Sequence, residues 1–73
     1  MVKQLVTVRW MDIIQHADWT PAEEVSCPEF TNVGWLVVDN EEEIKIGSTL
    51  DEKDTPYGIT AFPKGCVVEL KFI

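Results

Sequence analysis

Nowhere in this sequence do apolar residues run on for the roughly 20 positions that a membrane-crossing helix needs. The opening residues, MVKQLVTVRW, lack the apolar stretch of a secretory signal and read instead as a first strand. Metal-binding and disulfide-forming residues are scarce. There are two Cys, Cys27 and Cys66, and one His, His16, with no C-x-x-C pair, so no zinc cage is written here. Two reduced thiols are expected, Cys66 as a small core residue and Cys27 beside Pro28, in an intracellular protein. Basic residues are also few: six Lys and Arg stand against thirteen Asp and Glu, for a net charge of −7. Such a chain repels a phosphate backbone unless its cations are concentrated, and Arg9, Lys45, Lys64 and Lys71 are scattered. Nucleic acid and membrane are therefore not expected partners. A basic protein, or a small anionic ligand held by one or two cations, is compatible with this balance.

The motifs of common enzyme classes are missing as well. No G-x-G-x-x-G, P-loop or H-E-x-x-H occurs. The acidic run DNEEE at 39–43 lacks the alternating spacing and glycine of a calcium loop and reads as a solvated hairpin turn. Asp12 and His16 are four apart and would share a helical face, but they follow a strand, and no motif places a nucleophile beside them. The expectation is a non-enzymatic protein without metal or cofactor.

What the sequence does have is aromatic and β-branched residues. A chain of 73 residues forms one domain, 1–73, that buries only roughly 60–65% of its unfolded surface. Three Trp, three Phe and a Tyr supply the means for a small core. LVTVRWMDII alternates, with Val6, Val8 and Trp10 on one face and Thr7, Arg9 and Met11 on the other, which predicts a strand. DWTPAEEVSCPEF carries a helix start: Thr20 as cap, Pro21 at the first helical position and Glu23 as the reciprocal partner, with Pro28 as terminator. One or two helical turns are predicted over 21–26. TNVGWLVVDNEEEIKIGSTL reads as a hairpin turning at DNEE, its first arm apolar on both faces and interrupted by Gly34, a mark of a bulge or bend. Because a barrel strand has only one inward face, Leu36 or Val38 should be covered by another copy or a partner, and a homo-oligomer is expected.

DEKDTPYG reads as a polar loop. ITAF and CVVELKFI read as strands, the latter with Cys66, Val68, Leu70 and Phe72 on one face. Between them, Pro63 cannot donate to a sheet ladder, so Pro63-Lys64-Gly65 suits a single tight or 3₁₀ turn, with Gly65 expected at positive φ. The whole pattern predicts an all-β fold, a small five-stranded SH3-like or Sm-like barrel with one short helix after the first strand filling or capping one mouth. Trp10 and Trp35 lie on apolar faces and belong in its core. Trp19 and Tyr57 fall in loop-like segments, as lids over the core or as binding plates. If Arg9, Trp19, Tyr57 and Lys64 converge, they form a stacking surface with two cations, suited to a planar anionic ligand such as a nucleotide.

The motifs VRWMD, Asp18-Trp19 about seven residues on, a central GWLV and a closing FPKGCVVEL resemble a group of short proteins encoded by tailed phages and prophages. Those read as V-x-W-x-D, G-W-L and I-P-K-G-x-I, and the resemblance spans nearly the whole chain; Phe62 stands where an aliphatic residue is usual. The resemblance implies an accessory protein of the infected bacterial cytoplasm that acts by stoichiometric binding. Its leading form is a counter-defence sponge for a nucleotide immune signal, held between copies. The alternatives are an acidic inhibitor of a basic host or phage protein, and a minor virion or assembly component.

Overall fold

The computed structural model describes residues 3–73 and is all-β. Five strands, β1 (Leu5–Met11), β2 (Glu29–Asp39), β3 (Glu43–Leu50), β4 (Pro56–Pro63) and β5 (Val67–Phe72), form one antiparallel sheet. Their order is β4-β3-β2-β1-β5, and the sheet is open: β4 and β5 are its two edges.

The expected alternation on β1 sets the core. Val6 and Val8 are fully buried and are joined by Ile44, Ile46 and Phe62, with Trp10, Leu36, Val67 and Leu70 packed against them. The long β2 pairs with β1 through its first half and with β3 through its second, so the sheet bends along it. Gly34 lies at that bend. A Cβ there would stand 2.8 Å from the carbonyl oxygen of Gly47, so only a bare α-carbon lets the two backbones approach this closely. The bend curls the sheet until the end of β1 meets the end of β4.

Two bulges interrupt the alternation of the strands. On β2 the register slips between Leu36 and Val38. Leu36 turns inward opposite Ile46, while Trp35 lies half-buried on the outer face opposite Leu5 and Gly47. By plain alternation from Gly34, Trp35 is therefore not a core residue and Leu36 is not part of the outward strip that a second copy was expected to cover; Val38, past the slip, stands opposite Lys45 on the outer face. On β5 the register slips opposite Arg9 and Trp10. That slip gives Val67, not Cys66 or Val68, the inward place across from Trp10, while Leu70 keeps the face expected of it.

The predicted helix is reduced to one 3₁₀ turn, Ala22–Glu24, with no buried residue and no side-chain cap. The reason is local. The Thr20 hydroxyl donates to Asp18 Oδ1 at 2.6 Å, and the Thr20 backbone N–H meets the same oxygen at 3.0 Å. The capping side chain thus closes a turn before the helix instead of starting it, and the 3₁₀ turn fills no core space.

The break at Pro63 is a 3₁₀ turn, Lys64–Cys66, as the sequence predicts. Gly65 does not adopt positive φ, however; that conformation belongs to Gly58, at φ 66°, and to Asp54, at φ 62°. A right-handed 3₁₀ turn needs no left-handed residue, and nothing lies within 4 Å of a Cβ at Gly65. Strand β4 also begins earlier than expected, so Tyr57 pairs with Thr49 in the sheet and is not a loop residue.

Candidate functional site

The segment between β1 and β2, residues 12–28, is an arm. From Asp12 to Glu24 every residue except Thr20 is exposed. Its two ends are tied to each other at its root, where the Asp12 N–H donates to the Pro28 carbonyl at 2.9 Å. The remaining hydrogen bonds of the arm are local, among Asp12, Asp18, Thr20, Pro21, Ala22 and their neighbours. Four carboxylates, Asp12, Asp18, Glu23 and Glu24, lie on it with no Lys or Arg. The Asp18 carboxyl sits below its ordinary range, because the Thr20 hydroxyl and N–H both donate to it.

At the root of the arm the curl of the sheet leaves a cavity of about 300 Å³. One wall is Trp10, Met11, Asp12 and Ile13; the other is Thr60 to Pro63 with Cys66. The wall residues are mostly apolar. The Trp10 ring stands 5.3 Å from Phe30 and 5.5 Å from Phe62. Its indole N–H donates to Asn32 Oδ1 at 2.7 Å, so the one polar atom of that ring is already satisfied. Cys66 is a free thiol at intermediate exposure on this wall, not a core residue, and Cys27 is an exposed free thiol beside Pro28 at the root of the arm.

The residues expected to hold a nucleotide are dispersed. Arg9 lies on the outer face of β1, where Nη1 meets Glu29 Oε1 at 2.7 Å and Nη2 meets Glu69 Oε1 at 3.7 Å. The bond to Glu29 holds its guanidinium protonated even more firmly than usual. Lys64, on the 3₁₀ turn after β4, is ion-paired with Asp39. Tyr57 sits near the start of β4, its hydroxyl 3.4 Å from Asp51 Oδ2. It lies seven residues from Lys64 along an extended segment, about 23 Å at ~3.3 Å per residue. Trp19 is on the arm with its side chain wholly exposed, so it is no lid over the core. One copy of the chain therefore does not gather the four around one small ligand, and both cations already face carboxylates.

Asp12 and His16 do not pair. Asp12 Oδ1 accepts the next N–H, from Ile13, at 2.8 Å, and His16 Nδ1 lies 3.9 Å from Asp18. Among the described residues no cluster of three metal-ligating side chains occurs, and no helix is long and apolar enough to cross a membrane.

The sequence reading missed the cavity. Its one signal was Ile13-Ile14, an apolar pair just past the strand: Ile13 is 87% exposed and Ile14 44%, which is costly for a loop unless something covers it. Compared with family models, curated proteins and solved structures, the chain matches none.

Proposed function

We propose that this chain is a non-enzymatic binding protein that associates stoichiometrically with a basic protein. The setting is the one the phage resemblance implies, the cytoplasm of an infected bacterial cell, and the partner is a host or phage-encoded target. The observation that carries the reading is surface left uncovered. Only five hydrophobic side chains are buried among the described residues, while eleven large ones, Ile13, Trp19 and Phe72 among them, are exposed. The radius of gyration is 15.2 Å, against about 11 Å for a compact domain of this length. A chain that leaves this much apolar surface in water gains most of its remaining burial from a partner, and the net charge of −7 selects a basic one.

The finer fold assignment belongs to the same proposal. The strand order, the stacking of Trp10 against Phe62 and the one-turn link from β4 to β5 support an SH3-like or Sm-like barrel whose seam a partner closes. Self-association fits beside it. Leu5, Trp35, Gly47 and Ile59 form an uncharged row across the outer face of four neighbouring strands, a surface on which copies can meet without apposing carboxylates.

A second reading, the nucleotide sponge, is favoured by the free ring of Trp19, which is open for stacking. It requires an anion to displace Glu29 from Arg9 or Asp39 from Lys64. Native mass spectrometry of the protein isolated from infected cells separates the two. A stoichiometric complex with a basic protein is expected. A released nucleotide without a protein partner would put the sponge first.

A further inference from the structure

Resting on the protein-binding reading above, we infer that the cavity at the root of the arm is the docking site for an extended segment of the basic partner. One bulky apolar side chain of that segment sits between Trp10, Phe62 and Cys66, with Lys or Arg on either side of it.

The cavity, at about 300 Å³, stands at the lower end of the range for ligand pockets and has room for one large side chain. Its floor makes no polar demand, since the Trp10 N–H is held by Asn32. An apolar anchor is therefore the occupant that releases the most unfavourable water.

The charge of the anchor's neighbours follows from the two lips. Asp12 lines one lip and begins the arm, whose other carboxylates are Asp18, Glu23 and Glu24. The opposite lip ends at Pro63. There the Lys64 N–H donates to the Glu42 carbonyl at 2.8 Å and draws the acidic turn Asn40–Glu42 alongside. Lys64 and Lys45, the cations beside that turn, are already paired with Asp39 and Glu43. Among the described residues, both lips thus present carboxylates without matching cations. A second copy, itself at −7, would bring like charge to this place, whereas Lys and Arg of a basic partner are drawn to it.

The extended form of the partner follows from β4. It is an edge strand, so one side of its backbone lacks a neighbour in the sheet. Thr60 and Ala61 bring that strand into the cavity wall. Pro56, Gly58 and Pro63 confine the usable edge to Ile59–Phe62, a length that fits a short extended stretch centred on a single anchor.

The thiol on the cavity wall reports occupancy. In a Cys27→Ser background, Cys66 is alkylated with iodoacetamide in the presence of the blocked heptapeptide Arg-Thr-Val-Leu-Val-Thr-Arg. Two control peptides replace either the two Arg by Glu or the central Leu by Ser. The Arg/Leu peptide should slow alkylation about tenfold at roughly ten times its Kd. The two control peptides should leave the rate within about twofold, and raising the salt to 0.5 M should weaken the protection. Ala61→Arg, a substitution on an exposed edge position, should abolish protection while circular dichroism stays unchanged. Unslowed alkylation, or equal protection by the Glu peptide, overturns the inference. So does protection that rises with protein concentration alone, which would make the occupant a second copy. The underlying reading fails separately. If a basic partner co-purifies from infected cells but leaves Cys66 reactive, binding stands and this site is wrong. If the peptide protects Cys66 and no protein partner is found, the site stands and the cellular reading is wrong.

Discussion

The rings of Trp10 and Phe62 lie 5.5 Å apart, inclined by 52°, although β2 and β3 stand between their strands in the sheet. Only the curl brings them together, so the pair reports whether the curl persists in solution. Phe62 is 3% exposed, and Phe62→Ala should cost about 3–5 kcal/mol. That is comparable to the whole stability of a domain this small, roughly 4–11 kcal/mol. Phe72 is 55% exposed, and Phe72→Ala should cost about 1 kcal/mol or less. Urea denaturation of the two variants should show this ordering; equal costs would mean that the seam contact does not hold the fold.

Glycine at position 58 is required, and at position 65 it is not. Gly58 has φ 66°, and a Cβ there would lie 2.2 Å from Ser48 Oγ. Gly58→Ala should lose about 1–2 kcal/mol from backbone strain alone. Adding Ser48→Ala should recover the steric part and leave the strain. Gly65→Ala should be neutral or stabilising by about 0.4–1 kcal/mol, because it restricts only the unfolded chain. Thermal melts of the three variants check the order.

Asp51 organises the loop before β4. Its Oδ1 accepts the N–H groups of Thr55 at 2.9 Å and Lys53 at 2.8 Å. These bonds, that from Thr55 foremost, hold its carboxyl below the ordinary 3.8. A folded-state value below the unfolded one means that the stabilisation is complete above about 3.8 and fades as the pH falls through the lower, folded value. Asp51→Ala should therefore lower Tm at pH 6. The gap to wild type should narrow as the pH is taken from 4 towards 2. A pH-independent gap would deny the loop carboxylate this role.

Trp19 projects from the arm with its ring wholly exposed. Trp19→Ala should change stability by no more than about 0.5 kcal/mol by chemical denaturation. It should nonetheless weaken capture of the cellular partner if the arm takes part in binding. A large loss of stability would mean that the ring packs on the protein in solution.

Several features were legible because they depend on neighbours in sequence. The alternation of Val6, Val8 and Trp10 fixes the inner face of β1, and those residues do line the core. The DNEE turn follows from Asn40, whose Oδ1 accepts the N–H groups of Glu42 and Glu43 at 2.9 Å. The break at Pro63 follows from a residue with no N–H to give. The all-β class, with strands near their expected places, rests on such local rules.

What only the tertiary structure decided is where the phase of each strand slips and which strand ends meet. A bulge adds one residue to a strand and reverses every face beyond it. Alternation therefore could not say that Val67 turns inward, and on β2, apolar on both faces, it could not choose between Leu36, which turns inward, and Trp35, which turns out. The failed helix turned on Thr20, whose hydroxyl is turned back to Asp18 and makes no capping bond to the turn that follows. The cavity joins residues about fifty apart in sequence, Trp10 to Ile13 with Thr60 to Cys66. No periodicity encodes their meeting, because it follows from the bend at Gly34, where two backbones approach too closely for any side chain. The net charge of −7 was plain from the outset. That Arg9 and Lys64 are each paired with a carboxylate, leaving other acids on both lips of an apolar slot, depended on the fold.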